Sequence, residues 1–312
     1  MSSTTVTFNP NIKGNVLTQQ QKVDYERDGF IVIRGILPQY EIERYRKRFR
    51  QICSGEVTID QLMIMKDVTN AKAEVHGETV VNKIQDFNND PVLFEYCKYP
   101  PIVDVVQDLI GTGKSTLISM HTMLINKPPD TGSLSSRHPM HQDQYYFPFT
   151  NPSNICCAWT SLEKVDRNNG CLVVVPGSHK KPLLKHEYPK WEGGVNKAYH
   201  GIQEYDPNDP RTYVIMEPGD TVFFHPHLIH GSGANKTTGF RKAISCHYAN
   251  DDVCRYFDVK GTIQEPIADE IIEMAKKRFA RHGFTNTDEL NLTFEDIWRY
   301  RAREVCGNRS HL

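Results

Sequence analysis

The chain has almost no net charge, no long apolar run and no CxxC pair. Its 37 basic and 38 acidic residues leave a formal charge of −1, so nothing in the composition suggests nucleic acid as a partner. No stretch has the roughly 20 consecutive apolar residues that a membrane-spanning helix needs, and we predict no membrane span. Eight cysteines without CxxC spacing in 312 residues indicate reduced thiols and not a disulfide scaffold.

The sequence also lacks a low-complexity linker and an internal repeat, which favours a single domain over residues 1–312. The helical N-terminal part covers about residues 15–55, where Thr18 and Gln21 form a capping box and the first helix ends at Gly29. Short strands with Pro, Gly and Asn turns fill about residues 117–256. Helices are predicted over about 266–303, and the whole is therefore expected to be an α+β fold with a mainly β core.

Two His-x-Asp/Glu triplets stand out, His141-Gln142-Asp143 and His76-Gly77-Glu78. Composition alone predicts about 1.6 such triplets by chance, so the pattern is not sufficient by itself. Context separates them, because an aromatic segment and a probable strand, residues 155–162, follow the first triplet. The second lies in a polar stretch typical of a surface loop, and we interpret it as a chance match.

Two histidines and one carboxylate on one side of an ion are typical of non-haem Fe(II) oxygenases, which keep the opposite face open. Three histidines compete for the second imidazole position: His225, His227 and His230. Strand parity would put the first two on one face and cannot choose among the three. The glycines after His230 and its distance from Arg241 favour His230. A strand–loop–strand arrangement would place Arg241 beside His230, where its guanidinium could bind a co-substrate carboxylate.

Several longer segments resemble the phytanoyl-CoA dioxygenase family, and the resemblance runs from about Asn15 to Val305. The matching segments are 123–130 (MLINKPPD), 137–143 (RHPMHQD), 157–160 (CAWT), 168–177 (NNGCLVVVPG), 188–197 (YPKWEGGVNK) and 223–233 (FFHPHLIHGSG). The resemblance implies a double-stranded β-helix (jelly-roll, cupin-like) with helices packed on one side. It also implies an enzyme that uses Fe(II), 2-oxoglutarate and O₂, with ascorbate as reductant. The implied reaction hydroxylates the α-carbon of a branched acyl-CoA (phytanoyl-CoA to 2-hydroxyphytanoyl-CoA) in fatty-acid α-oxidation, releasing succinate and CO₂.

Carried over position by position, the resemblance implies that His141, Asp143 and His230 bind the metal. It leaves His225 and His227 to pack or to line the pocket.

The residues implied around 2-oxoglutarate are Lys83, Met123, Trp159 and Arg241. Each has an alternative explanation, because apolar residues on strands are usually core and a lysine is usually a solvated charge.

Two residues are expected next to the substrate, Gln142 and Trp191. Gln142 flanks the metal triplet, and a spacer role is the alternative. Trp191 begins the loop 191–194, which is expected to be flexible and could act as a lid over the acyl chain.

Two basic segments are open to other interpretations. Residues 111–115 (GTGKS) resemble part of a phosphate loop, but the required first glycine is Asp108, so a helix-ending loop is predicted. The run Arg44–Arg50 has apolar residues at helical spacing, which favours a solvated helix face over a nucleic-acid site or a site for CoA phosphates.

The last residues, Ser310-His311-Leu312, keep the small–basic–leucine pattern of the peroxisomal address, which predicts import into the peroxisomal matrix by its receptor. Two alternatives to phytanoyl-CoA hydroxylation remain. One is the same chemistry on a different acyl-CoA or small carboxylate derivative, and the other is a non-catalytic binding protein that kept the fold.

Overall fold

The computed structural model describes residues 16–67, 76–130, 132–134, 136–192, 194–204, 206, 208–281 and 290–307. The tail 310–312 lies outside these residues. No helix in the described part of the chain combines the length and apolar character that crossing a bilayer requires.

The N-terminal part contains three helices: α1 (Gln19–Asp28), α2 (Gln39–Ser54) and α3 (Pro100–Ile110). The predicted capping box of α1 is present, with Thr18 and Gln21 bonding to each other's main-chain N–H groups. Gly29 ends α1 in the left-handed conformation, at φ 81°. The GTGKS segment follows the last residue of α3, so the predicted helix-ending loop is confirmed.

The largest element is an antiparallel sheet of eight strands. They are β1 (Phe30–Ile33), β2 (Met63–Lys66), β3 (Val81–Gln85), β4 (Leu117–Lys127), β6 (Ile155–Ser161), β11 (Thr221–Phe224), β13 (Arg241–Asn250) and β14 (Arg303–Cys306). Along the sheet the order is β1-β11-β6-β13-β4-β3-β2, and β14 also pairs with β4. The long strands β4 and β13 form the central pair.

A smaller antiparallel sheet covers one face of the large one. Its strands are β5 (His138–His141), β7 (Leu172–Val174), β10 (Thr212–Val214) and β12 (His230–Ser232), and their order is β10-β7-β12-β5. Two further strands, β8 (His186–Glu187) and β9 (Gly201–Ile202), form a separate pair.

Alternation along the central strands divides the core into two layers. On β13, Ile244, Cys246 and Tyr248 belong to the cluster that packs with the N-terminal helices on the outer face. Ala243 belongs to the cluster between the two sheets, together with Trp159 of β6. Residues of odd number on β13 therefore face the space between the sheets.

The C-terminal part consists of α4 (Glu265–Arg281) and α5 (Phe294–Arg301), followed by β14. The predicted helix near 294–303 therefore stops earlier, and residues 303–306 extend the large sheet instead. Trp298 of α5 packs against Met120 of β4 and Phe147 in a third apolar cluster.

One topological prediction is wrong. His230 and Arg241 do not lie on neighbouring strands, because β12 belongs to the small sheet and β13 to the large one. The glycine-bearing loop between them crosses from one sheet to the other, so the two side chains face the same interior from opposite walls.

Candidate active site

The space between the sheets contains a cavity of about 680 Å³, and most of its lining is apolar. The large sheet contributes Lys83, Met123, Trp159 and Arg241 to its wall, and α5 contributes Trp298. All four residues expected around the co-substrate thus face one cavity, which is the arrangement of a small-molecule site.

His141, Asp143 and His230 meet in this cavity, and one ligand atom from each lies within 4.8 Å of the others. The first histidine ends β5 and is the cross-strand partner of His230 on β12. Asp143 begins the short helical turn after β5. Its Oδ1 lies 3.2 Å from His141 Nε2, and its Oδ2 lies 3.8 Å from His230 Nε2.

Main-chain carbonyls fix the orientation of both imidazoles. His141 Nδ1 lies 2.9 Å from the Pro139 oxygen, and His230 Nδ1 lies 2.9 Å from the Leu228 oxygen. A carbonyl only accepts, so each Nδ1 carries the proton and each Nε2 is left with a lone pair toward Asp143. Burial lowers the pKa of His230 to about 4, which keeps that ring neutral at physiological pH.

Asp143 is an ionised carboxylate in a buried setting. Burial opposes its ionisation, but the neighbouring imidazoles of His230, His247 and His141 hold its pKa well below the usual range. Two neutral imidazoles and a carboxylate suit a divalent transition metal such as Fe(II).

His247 is a residue of the site that the sequence analysis missed. Its Nε2 lies 2.8 Å from Asp143 Oδ2, the shortest contact that this carboxylate makes with a histidine. Parity on β13 could have found it, because His247 is six residues after Arg241 and therefore on the same face.

A second group of possible ligands shares the carboxylate: Asp143, Cys157 and His247. Burial raises the pKa of the Cys157 thiol well above its usual value. A protonated thiol is a poor metal ligand, so the group with two imidazoles suits Fe(II) better.

Arg241 also lines the cavity, is 1% exposed and has donors to spare. Its Nη2 donates to the Gly170 oxygen at 2.8 Å, and its guanidinium carbon lies 5.3 Å from the Trp159 ring centre. Neither Nε nor Nη1 has a hydrogen-bond partner among the described residues. A buried cation with two unpaired donors fits the carboxylate of a ligand.

Lys127 lies directly opposite Arg241 on β4 and was also missed from sequence. Its Nζ donates to the oxygens of Ser136 and Gly233, each at 2.6 Å. Burial, followed by the neighbouring charge of Arg241, lowers the pKa of Lys127 well below its usual value, and the unpaired donors for an anionic ligand belong to Arg241.

Lys83 is buried and is not a solvated charge. Its Nζ lies 5.0 Å from the ring centre of Tyr199, and burial lowers its pKa to about 8. The neighbouring wall is formed by Met123, which pairs with Gln85 and Ser245 on the adjacent strands.

The structure contradicts the substrate-side prediction for Gln142. Its amide donates to the oxygens of Pro182 and His227 and accepts from the Leu184 N–H, at 3.2, 3.1 and 2.8 Å. Gln142 points away from the cavity because alternate residues of an extended segment face opposite sides, and it anchors the small sheet to neighbouring loops.

Trp191 also lies outside the large cavity. Its ring stacks under the guanidinium of Arg137, at 4.1 Å, in a separate pocket that also includes Val173 of β7. The loop that carries it bends away over the small sheet, so the prediction of a substrate contact is wrong for this arrangement.

His225 and His227 pack and do not line the cavity. The strand β11 ends at Phe224, so the parity argument did not apply to them. His225 lies 5.3 Å from the His179 ring, and His227 Nδ1 lies 3.3 Å from the Lys181 oxygen.

Known proteins match both the fold and the sequence. The chain resembles the solved structure of the epimerase SnoN in complex with Fe3+, alpha ketoglutarate and nogalamycin RO, with TM-score 0.59 and 22% identity over 78% of this chain and 86% of that one. It also resembles EctD from S. alaskensis with 2-oxoglutarate and 5-hydroxyectoine, with TM-score 0.57 and 17% identity over 79% of each chain. The expected double-stranded β-helix is thereby confirmed.

The sequence matches extend over almost the entire chain. The family model described as phytanoyl-CoA dioxygenase (PhyH) matches residues 25–243. A "probable phytanoyl-CoA dioxygenase" of Caenorhabditis elegans is 64% identical over 96% of both chains. The peroxisomal phytanoyl-CoA dioxygenases of Rattus norvegicus and Homo sapiens are 53% and 51% identical over 98% of this chain and 87% of theirs.

Fold and sequence together define an Fe(II)/2-oxoglutarate-dependent dioxygenase. Within that class, the chain belongs to the phytanoyl-CoA dioxygenase family.

Proposed function

We propose that this enzyme hydroxylates the α-carbon of a branched-chain acyl-CoA, converting phytanoyl-CoA to 2-hydroxyphytanoyl-CoA in fatty-acid α-oxidation. The observation that carries the proposal is that one apolar cavity is lined both by the His141–Asp143–His230 group and by Arg241 with its unpaired donors. The names of the mammalian relatives supply the substrate.

In this proposal His141, Asp143 and His230 hold Fe(II), and their carbonyl-fixed rings and ionised carboxylate fit that ion. When bound, iron with 2-oxoglutarate and O₂ supplies oxygen insertion into a C–H bond coupled to release of succinate and CO₂. The two histidines and the carboxylate would hold the ion through three protein ligands, a number that would leave room for 2-oxoglutarate and O₂.

Arg241 would bind the far carboxylate of 2-oxoglutarate through the Nε and Nη1 donors that have no partner among the described residues. Trp159 holds the guanidinium from one side. Met123 shapes the apolar wall, and Lys83 adds a buried cation within the same cavity. These contacts orient the co-substrate and exclude water from the reacting end.

The acyl chain would occupy the apolar part of the cavity toward the C-terminal helices. That wall is formed by side chains from β2, α4 and α5, namely Met63, Met65, Ile271, Met274 and Ile297. Apolar walls of this kind bind hydrocarbon through burial of its surface. A straight-chain acyl-CoA is the alternative substrate.

The metal assignment is tested by anaerobic calorimetry with Fe(II), followed by 2-oxoglutarate. His141→Ala should abolish measurable metal binding, whereas His76→Ala, in the second His-x-Glu triplet and exposed, is the matched control and should bind as wild type. The assignment would be contradicted if both variants lost Fe(II) binding equally, or if neither variant lost it.

The substrate is tested by competition between phytanoyl-CoA and palmitoyl-CoA in one aerobic reaction, with products identified by mass spectrometry. We expect 2-hydroxyphytanoyl-CoA as the main product. Predominant hydroxylation of palmitoyl-CoA would assign the enzyme to straight-chain substrates.

We also propose that ascorbate keeps the iron reduced, so that omitting it lowers the number of turnovers before activity stops.

We further propose that the enzyme works in the peroxisomal matrix, which the names of the mammalian relatives support. The import receptor would recognise Ser310-His311-Leu312. Removal of Leu312 from a fluorescently tagged chain should leave the protein in the cytosol, and continued peroxisomal location would exclude this signal.

A further inference from the structure

We propose that His247 is a positioning residue, which holds Oδ2 of Asp143 so that Oδ1, the oxygen beside His141, is the one left for the metal. The inference rests on the proposed function of that group, and it adds a residue to the site that binds no co-substrate or metal itself.

The contacts of the two carboxylate oxygens differ. Oδ2 lies 2.8 Å from His247 Nε2 but 3.8 Å from His230 Nε2, while Oδ1 lies 3.2 Å from His141 Nε2. An ionised carboxylate only accepts hydrogen bonds. His247 Nε2 must therefore carry the proton and donate it to Oδ2.

Packing fixes the direction of this donor. The His247 ring is 1% exposed and lies 4.9 Å from the Phe147 ring, 6.3 Å from Phe224 and 5.6 Å from His121, measured between ring centres. A ring enclosed on three sides cannot turn away from Asp143, so the carboxylate oxygen that it binds is held in one place.

The consequence concerns how many positions the carboxylate occupies on the ion. With Oδ2 bound to His247, Asp143 can supply one oxygen, which leaves room for a chelating co-substrate and O₂. Without the donor, the carboxylate could rotate or supply both oxygens. Hydrogen bonds to metal-binding carboxylates typically change metal affinity by about 10- to 100-fold when removed.

The alternative is that His247 itself binds the metal, with Asp143 and Cys157. The two roles predict opposite effects on metal affinity when His247 is replaced by glutamine. A glutamine can donate to Oδ2 from nearly the position of Nε2, but it cannot replace an imidazole ligand. An asparagine has the same chemistry and is too short to reach.

The test measures the dissociation constant for Fe(II), anaerobically, and for Co(II), in wild type and in His247→Leu, His247→Asn and His247→Gln. The control is His225→Leu, because His225 is also a buried histidine but lies outside the cavity, where it packs on His179. The melting temperature of each metal-free variant reports whether it folds.

We expect affinity to fall by about 10- to 100-fold in the leucine and asparagine variants of His247, to recover mostly in the glutamine variant and to stay unchanged in His225→Leu. Wild-type affinity in a folded His247→Leu would overturn the inference. If that variant does not fold, equal affinities of the glutamine and asparagine variants would overturn it. Wild type that binds neither metal would overturn the proposed function first.

Discussion

Two buried charges define the active site at the scale of single residues. Asp143 keeps its negative charge because three imidazoles surround it. Arg241 keeps buried donors that nothing among the described residues satisfies. An unsatisfied buried donor costs roughly 1–3 kcal/mol, and more when it is charged, so the fold retains a destabilised group where the co-substrate would satisfy it.

Replacing this arginine by lysine should weaken co-substrate binding. Arg241→Lys keeps the charge and loses the planar pair of donors, so we expect the KM for 2-oxoglutarate to rise at least about tenfold, the equivalent of about 1.4 kcal/mol. The control is Arg255→Lys, an exposed arginine that donates to main-chain oxygens of its own turn. An unchanged KM in Arg241→Lys would remove Arg241 from the site.

Lys83 should make the stability of the protein depend on pH in the alkaline range. Burial lowers its pKa from 10.5 to about 8, so between these values the unfolded chain binds a proton that the native chain lacks. Titration of Lys83 should therefore raise the free energy of unfolding by up to about 3 kcal/mol as pH rises from 8 to 10.5.

Denaturant unfolding of wild type and Lys83→Met at pH 7.5 and pH 10 measures this contribution. The wild type should become more stable relative to the variant as pH rises, and Lys260→Met reports the effect of removing an exposed lysine. A difference in stability between wild type and Lys83→Met that is independent of pH would contradict the lowered pKa of Lys83.

The sequence was informative where a residue type carries its chemistry locally. His141, Asp143, His230 and Arg241 were singled out by their sequence context and by the family resemblance, and they do line one cavity. His247 and Lys127 were missed because their partners, Asp143 and Arg241, are distant in sequence. Parity along β13 and β4 would have pointed to both. The prediction for Gln142 was wrong because successive side chains of an extended segment point to opposite sides, so the neighbour of a metal ligand faces away from the metal.

At the scale of elements, the proposed metal site formed by His141, Asp143 and His230 depends on the close packing of β12 against β5. Gly231 lies between His230 and Ser232, and a Cβ there would come within 3.0 Å of the main-chain oxygens of His138 and Pro139. Contacts this short with backbone cannot be relieved by rotating a side chain. The close approach of these strands keeps His230 opposite His141.

Gly231→Ala should therefore separate the two strands and disturb the metal group. We expect a loss of about 1–3 kcal/mol in the free energy of unfolding, together with weaker Fe(II) binding. The matched control is Gly233→Ala, because a Cβ at Gly233 meets no atom within 4 Å. Equal stability of the two variants would show that the strands tolerate the added methyl group.

Helices and strands with local signals were predicted well. The capping box of α1 and the glycine at its end are short-range features, and both were confirmed. The sheet to which β12 belongs was not predicted, because pairing partners are chosen by contacts far apart in sequence. For the same reason β14, a four-residue strand at the edge of the large sheet, had no signal of its own.

At the scale of the whole molecule, the cavity draws its walls from the entire chain. Met63 comes from the N-terminal part, Trp159 from the central strands and Trp298 from the C-terminal helices. We propose on this basis that residues 1–312 act as a single catalytic domain.

A single domain predicts one cooperative unfolding transition, seen at the same denaturant concentration by far-ultraviolet circular dichroism and by tryptophan fluorescence. Fe(II) should stabilise the whole chain by about 2.7 kcal/mol at a concentration 100 times its dissociation constant. Two separate transitions, only one of which shifts with metal, would divide the chain into independent units.

The central claim is that one cavity couples consumption of 2-oxoglutarate to hydroxylation of an acyl-CoA. The most direct measurement is the ratio of succinate to 2-hydroxyphytanoyl-CoA formed aerobically from Fe(II), ascorbate, 2-oxoglutarate and phytanoyl-CoA. We predict one succinate for each hydroxylated product, with neither formed by His141→Ala. Succinate without hydroxylated product would show a working iron site with another substrate. Neither product from iron-loaded wild type would contradict the account.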